Sequence, residues 1–154
     1  MQKTQKRISW DEYFMKVARV ASERATCFRE KKVGAVLVKN RQIISTGYNG
    51  APKGLEDCLE RGYCIRERKG LKSGERLEYC RAVHAEQNAI VQAAYSGIAT
   101  ENTTLYTTHF PCIICAKQLI NAGIREMVYE NEEIDELSSE LLSESAVKVR
   151  KFSK

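Results

Sequence analysis

The sequence predicts an α/β layered domain built on a mixed sheet, and three observations carry that prediction. An amphipathic helix pattern opens the chain, two strand-like runs joined by a short polar turn follow it, and helix and strand patterns then alternate toward the C-terminus. A length of 154 residues suits a single core, so residues 1–154 are expected to form one domain.

The first helix is expected from about residue 10 to 25. Ser9 and Glu12 make a capping-box pattern, and Trp10, Tyr13, Phe14, Val17, Ala18 and Ala21 recur at helical spacing. "VGAVLVK" and "QIISTGYN", separated by Asn40 and Arg41, read as an antiparallel hairpin. Residues 50–80 combine Pro52, Gly54, Gly62, Gly70 and Gly74 with many charges and Cys58, Cys64 and Cys80, and no period persists through them. This is expected to be an irregular, Cys-rich insertion with little core of its own. From His84 to Tyr95, Ala85, Ala89, Ile90, Ala93 and Ala94 suit a buried helix, with Gly97 at its C-terminal end. A strand is expected at 103–108 ("TTLYTT"). A helix should then begin near Pro111, bury Ala116, Leu119 and Ile120, and end at Gly123. "REMVY", a charged helix at about 132–143 and "VKVRKF" complete the order.

Composition narrows the function. Hydrophobic residues make up 43% and charged residues 29%, and no apolar run approaches the ~20 residues that cross a bilayer, so a soluble protein without a membrane partner is expected. The basic residues of "MQKTQKRISWDEY" precede no apolar stretch, which favours a cytoplasmic location over export. A net charge of +5 suits a phosphate-bearing ligand, while the interspersed acids argue against a nucleic-acid surface. Six cysteines in a reducing compartment point to metal rather than disulfides.

The chemistry concentrates at "HAE" and "PCIIC", each at the start of an expected helix. His84 offers an imidazole, and Cys112 and Cys115 lie on one helical face and offer two thiolates. Three such ligands suit Zn²⁺ with one coordination position left for water, and the positive helix starts steady the thiolates. Glu86, two residues beyond His84, is placed to carry protons as the catalytic acid and base. His109 sits three residues before Cys112 and is read as lining the pocket rather than binding metal. Cys27, Cys58, Cys64 and Cys80 remain. They are read as ligands of a second, structural Zn²⁺ that fastens the insertion, with buried free thiols as the alternative and disulfides third.

The pair H-x-E and P-C-x-x-C resembles the signature of zinc nucleobase deaminases. "ISWDEYFM", "VGAVLV", "STGYNGAPKG", "VHAEQNAI" and "PCIICAKQLINAGI" fall in the order of the cytidine and deoxycytidylate deaminase superfamily. The chain is most similar there to the deoxycytidylate (dCMP) deaminases, competence-operon members included. That resemblance implies a three-layer α/β/α cytidine-deaminase-like fold around a mixed five-stranded sheet. It also implies hydrolytic deamination of dCMP to dUMP and ammonia, which would supply thymidylate synthesis. A homohexamer is implied as well, regulated by dCTP as activator and dTTP as inhibitor with Mg²⁺. Asn49 in "GYNG" is implied to contact the sugar, with Gly47, Gly50 and Gly54 open to being turn punctuation. Arg24, Lys32 and Lys53 are the candidates for the phosphate. The chain departs from many relatives after Tyr129, where "ENEEID" stands in place of a further tyrosine. Two other readings remain open: a deaminase acting on tRNA or another cytosine- or adenine-bearing substrate, and a non-catalytic zinc-stabilised protein serving DNA uptake.

Overall fold

A computed structural model describes residues 6–154. Residues 1–5, on which part of the expectation about export rests, lie outside the described residues. The element order is α1 (Trp10–Ser22), β1 (Gly34–Lys39), β2 (Gln42–Tyr48), α2 (Cys58–Arg61), α3 (Ile65–Arg68), a 3-10 turn (Leu77–Tyr79), α4 (Ala85–Tyr95), β3 (Thr104–His109), α5 (Ile113–Asn121), β4 (Glu126–Asn131), α6 (Glu136–Glu144) and β5 (Lys148–Lys151). The strands form one sheet in the order β2-β1-β3-β4-β5. Both neighbours of β1 run antiparallel to it, while β3, β4 and β5 are parallel, so the sheet is mixed as expected.

The alternation of β1 divides the core in two. Ala35 and Leu37 point into a cluster with Ala85, Ala89 and Ala93 of α4, Ala116 and Leu119 of α5 and Leu142 of α6. Val36 and Val38 point the other way, against Phe14, Met15 and Ala18 of α1. Helices therefore cover both faces, and buried side chains on each face replace the polar alternation of a half-exposed sheet. The β1–β2 hairpin closes through Asn40 and Arg41, both at positive φ (50° and 63°), which matches a two-residue turn of the type that follows strand twist.

Element boundaries shift where side chains cap. Helix α1 begins at Trp10, as the Ser9 side chain accepting from the Glu12 N–H requires, but it stops at Ser22. Helix α6 starts at Glu136 and not near 132. β4 runs on to Asn131, and Asp135 caps the helix by accepting from the Ser138 N–H. The insertion holds only the short helices α2 and α3 and the 3-10 turn. Its buried side chains are Cys64 and Arg66, and the Arg66 guanidinium donates to the carbonyls of Lys72 and Glu75 at 2.8 and 2.9 Å. A charged group satisfied by backbone oxygens does here what apolar packing does elsewhere.

Two glycines let helices touch the sheet. A Cβ at Gly34 would lie 1.9 Å from the Ala18 carbonyl oxygen of α1, and one at Gly47 would lie 2.1 Å from the Ala85 oxygen and 2.6 Å from the Ala89 nitrogen of α4. Gly47 is therefore not turn punctuation; it sits within β2, where the backbone of α4 rests on the sheet. Gly54, by contrast, has positive φ (83°) and open space around it, as a turn requires. Ser45 donates its hydroxyl to Ala89 O at 2.7 Å, and Asn88 donates to Tyr48 O at 2.7 Å, so β2 is stitched to α4 along its length. Gly47→Ala should lower stability by about 1–3 kcal/mol and Tm by about 3–10 °C, because backbone and not a flexible side chain must yield. Thermal denaturation of the two proteins checks this, and equal midpoints would contradict it.

Candidate active site

The site is assembled where α4 and α5 begin. Val83 and Gly50 exchange backbone hydrogen bonds (2.8 and 3.2 Å), which anchors the chain just ahead of His84 to the end of β2. His84 is the N-cap residue of α4, and its N–H donates to Gln87 Oε1 at 2.9 Å. Cys112 is the N-cap of α5, reached from β3 through Phe110 and Pro111. The first helical N–H of α5, at Ile113, donates to Asp135 at 3.3 Å, so one carboxylate ties the starts of α5 and α6 together.

The Nδ1 of His84 lies 3.4 Å from both Cys112 Sγ and Cys115 Sγ. Tetrahedral zinc bonded at 2.0–2.1 Å to nitrogen and 2.3 Å to sulfur sets those atoms about 3.6 Å apart, so the three side chains fit the ion with little movement. Among the described residues, this is the one group of three metal-donating side chains whose ligand atoms all lie within 4.8 Å of one another. The donor set, two thiols and an imidazole, is the soft mixture that zinc favours.

Glu86 is 4% exposed and stands beside this trio. Its Oε2 accepts from the Cys115 thiol at 3.6 Å, and Thr107 on β3 reaches Oε1 at 3.4 Å while also donating to the carbonyl of His109 at 3.0 Å. Burial pushes the Glu86 carboxyl above the ordinary carboxylate range. Contact with the Cys112 thiol, together with Cys80, raises His84 to about 10, whereas the Cys115 hydrogen bond and His84 draw Cys112 down to about 4. The bond to Cys112 and burial push Cys115 up. A metal ion that takes the imidazole nitrogen and the thiolates would displace the imidazole proton, so its binding is coupled to proton release.

A cavity of about 320 Å³ opens onto these residues, lined among others by His84, Glu86, Cys112, Asn49 and His109. His109 lines it without joining the metal-donating trio, and its Nδ1 meets the Thr108 hydroxyl at 3.0 Å. Asn49 is buried, and its carboxamide braces the loop before β1 by accepting from Val33 N–H at 2.8 Å and donating to Lys31 O at 2.7 Å. A second lone pair and a second N–H remain for a ligand. Cys27, Cys58, Cys64 and Cys80 line the same cavity, and all are free thiols. Burial and the neighbouring thiols Cys64, Cys80 and Cys27 push Cys58 up, so the four share one neighbourhood. No three of their sulfurs gather as closely as the ligand atoms of His84, Cys112 and Cys115. Burial raises Cys80 while its contact with His84 lowers it, and the lowering prevails.

Arg24, Lys32 and Lys53 are exposed and lie outside the lining of the cavity; Lys53 instead sits 6.0 Å from the ring of Tyr95. The cations that do line it are Arg29, Lys31, Arg66 and Arg81. Sequence reasoning passed over these four. Arg29 and Lys31 follow Cys27 so closely that the thiol was the only available signal, and Arg66 and Arg81 lie in the aperiodic insertion or just past it. Thr107 was also passed over, although a hydroxyl within the buried run of β3 is an informative exception to burial patterns.

Residues 8–131 match the family model described as "Cytidine and deoxycytidylate deaminase zinc-binding region". The chain is 38% identical over 148 residues to the deoxycytidylate deaminase of Saccharomyces cerevisiae, covering 96% of this chain and 46% of the yeast protein. It is 36% identical over 145 residues to ComE operon protein 2 of Bacillus subtilis, covering 93% of this chain and 71% of that protein. The crystal structure of the dCMP deaminase from cyanophage S-TIM5 in complex with dCMP and dUMP superposes with a TM-score of 0.76 at 32% identity, covering 96% of this chain and all of that one. The chain spans about half the length of the yeast relatives it matches. With the His84, Cys112 and Cys115 trio and Glu86 inside the matched region, this chain belongs to the cytidine and deoxycytidylate deaminase zinc-binding family.

Proposed function

We propose that this chain catalyses zinc-dependent hydrolytic deamination of dCMP to dUMP and ammonia. The observation that carries the reading is a buried carboxyl, Glu86, held above its ordinary range beside a three-ligand zinc-type trio at the wall of a nucleotide-sized cavity. The names of the yeast relatives and of the dCMP- and dUMP-bound cyanophage structure support the choice of base and nucleotide. His84, Cys112 and Cys115 would hold the ion. Zinc bound there supplies a Lewis acid that brings the ionisation of water close to neutral pH.

Glu86 does the proton work. Its carboxylate takes a proton from the attacking water and passes it to the cytosine ring nitrogen next to the amine-bearing carbon; it then takes the remaining proton of the newly added hydroxyl and delivers it to the amine as it leaves. One water is consumed, the C–N bond breaks, and a carbonyl and ammonia result. Burial keeps the carboxyl willing to hold that proton, and Thr107 steers one of its oxygens. Asn49 contacts the sugar from the cavity wall in this reading, through the carboxamide valences left over from its bracing bonds.

The product would feed thymidylate synthesis, in the cytoplasm. Residues 1–154 act as one domain. A homohexamer with dCTP and dTTP as Mg²⁺-dependent effectors belongs to the same reading, carried by family resemblance. Among the described residues, no helix is long and apolar enough to cross a membrane. A second, structural Zn²⁺ held by Cys27, Cys58, Cys64 and Cys80 is supported by their common cavity and by an insertion that buries little apolar surface of its own.

Purified zinc-loaded protein should convert dCMP to dUMP, read as loss of cytosine absorbance, and leave tRNA without inosine; failure on dCMP with and without dCTP would sink the reading. Glu86→Gln should keep its zinc and lose about 10²- to 10⁴-fold in kcat. Turnover near the wild-type rate would remove Glu86 as the proton carrier. Metal analysis should find two zinc ions per chain in the wild type and one in Cys64→Ser, and a single ion in the wild type would eliminate the structural site.

A further inference from the structure

Strand β1 begins beside the active site, where the Gly34 N–H donates to Thr108, and ends at Lys39, next to a second cavity of about 540 Å³ walled by the start of α1 and the hairpin turn. Ile8, Trp10, Tyr13 and Ile43 line this cavity and remain exposed, Trp10 to 47%. The indole is fixed between neighbours, with the Phe14 ring at 5.6 Å and the Arg41 guanidinium 5.3 Å from its centroid. Arg7 and Arg41 are the only charged residues of the lining, and neither makes an ion pair among the described residues. The acids that follow on α1 are already engaged: Asp11 holds Arg150 at 2.6 Å and Glu12 holds Lys16 at 2.9 Å. A rigid exposed Trp beside unpaired arginines has the composition of a protein-binding surface rather than of a solvated one.

The same chain carries a surface of the opposite kind. Residues 126–147 contain no lysine or arginine. Glu126, Glu130, Glu132 and Glu133 of this stretch are in ion pairs, and Asp135 caps α6. Glu136, Glu140 and Glu144 are exposed and unpaired among the described residues; spaced four apart on α6 they form one stripe, bordered by Leu137, which is 63% exposed. Helix α6 packs on the face of the sheet that α1 does not cover, so stripe and cavity cannot meet within one molecule.

We propose that the Trp10–Arg41 surface receives α6 of a second copy of this chain, with Arg7 and Arg41 on the carboxylate stripe and Leu137 against the aromatic wall. Charge complementarity selects this occupant: the cavity lining offers cations without acids, and the helix offers acids without cations. Apolar burial supplies the attraction, while the charges set the direction of docking. Because the two faces differ, the contact is heterologous, and its repetition closes a ring or extends a row of copies. Family resemblance implies a homohexamer without saying which faces meet. The assignment concerns those faces and stands apart from the deaminase reading.

Sedimentation velocity of the zinc-loaded full chain tests it, with wild type, Arg41→Glu, Glu140→Arg and an equimolar mixture of the two variants. Each variant alone should form smaller species than the wild type, its association at this contact weakened by about 10- to 100-fold. The mixture should recover the wild-type mass, because Glu at 41 then faces Arg at 140 of the neighbouring chain and the reciprocal contact is native. Arg41→Gln, which removes the charge without reversing it, reports the same loss if the glutamate variant does not fold. Wild-type protein that sediments as a monomer, variants that keep the wild-type mass, or variants that shrink and do not recover on mixing would each overturn the assignment. Turnover of dCMP, measured separately, decides the deaminase reading whichever result is found.

Discussion

Contact between the backbone of α4 and the bare Cα of Gly47 in β2 governs where the chemistry can occur. The Ala85 carbonyl and the Ala89 amide occupy the space that any side chain at 47 would fill. That contact sets the depth at which α4 lies on the sheet, and hence where its first turn emerges. His84 and Glu86 sit on that first turn, one capping the helix and one within it. The position of Cys112 is set separately, by the end of β3 and the cap of α5. β3 and β2 flank β1 in the sheet, so the separation of the two ligand sources follows from sheet geometry rather than from any flexible linker.

The two helix starts then create opposite demands in a small volume. Thiolates gain from the partial positive charge at a helix N-terminus, and a cation nearby deepens that gain. A proton carrier needs the reverse, a carboxyl reluctant to ionise. Burial raises Glu86 while contact with Cys115 and the imidazole lowers Cys112, so neighbouring groups are driven in opposite directions. Separation of that kind lets one site hold a dication and shuttle protons at the same pH. Thr107 adds direction, contributed by a strand whose other residues are given over to packing.

Much of this was legible from residues alone, and the limits have physical causes. H-x-E and P-C-x-x-C were readable because metal ligands impose residue type and spacing together, and the hairpin was readable because strand runs bracket a two-residue turn. Helix α6 began later than its charge pattern suggested, since the Asp135 cap and not composition decides the first turn. Gly47 looked like a turn residue because its neighbours "YNG" are turn formers, and nothing local reveals a helix lying on top of it. The phosphate candidates Arg24, Lys32 and Lys53 rest on charge, and Arg24 also on the likeness of "ASERATC" to a family segment near the nucleotide. Arg29 faces the cavity instead, and its bond to Leu71 depends on an insertion folding back across 42 intervening positions. Aperiodic segments organised by buried arginine and thiols carry no pattern that a helix or strand template can detect.

In the proposed zinc site α4 and α5 present three ligands to one ion, with Glu86 beside it and unligated. Anomalous diffraction at the zinc edge from crystals of the zinc-loaded protein tests this most directly. The expected result is a peak bonded to His84 Nδ1, Cys112 Sγ and Cys115 Sγ at ordinary zinc distances, with a fourth position free of protein. A fourth protein ligand on that ion, whether Glu86 or the Cys80 thiol that contacts His84, would contradict it.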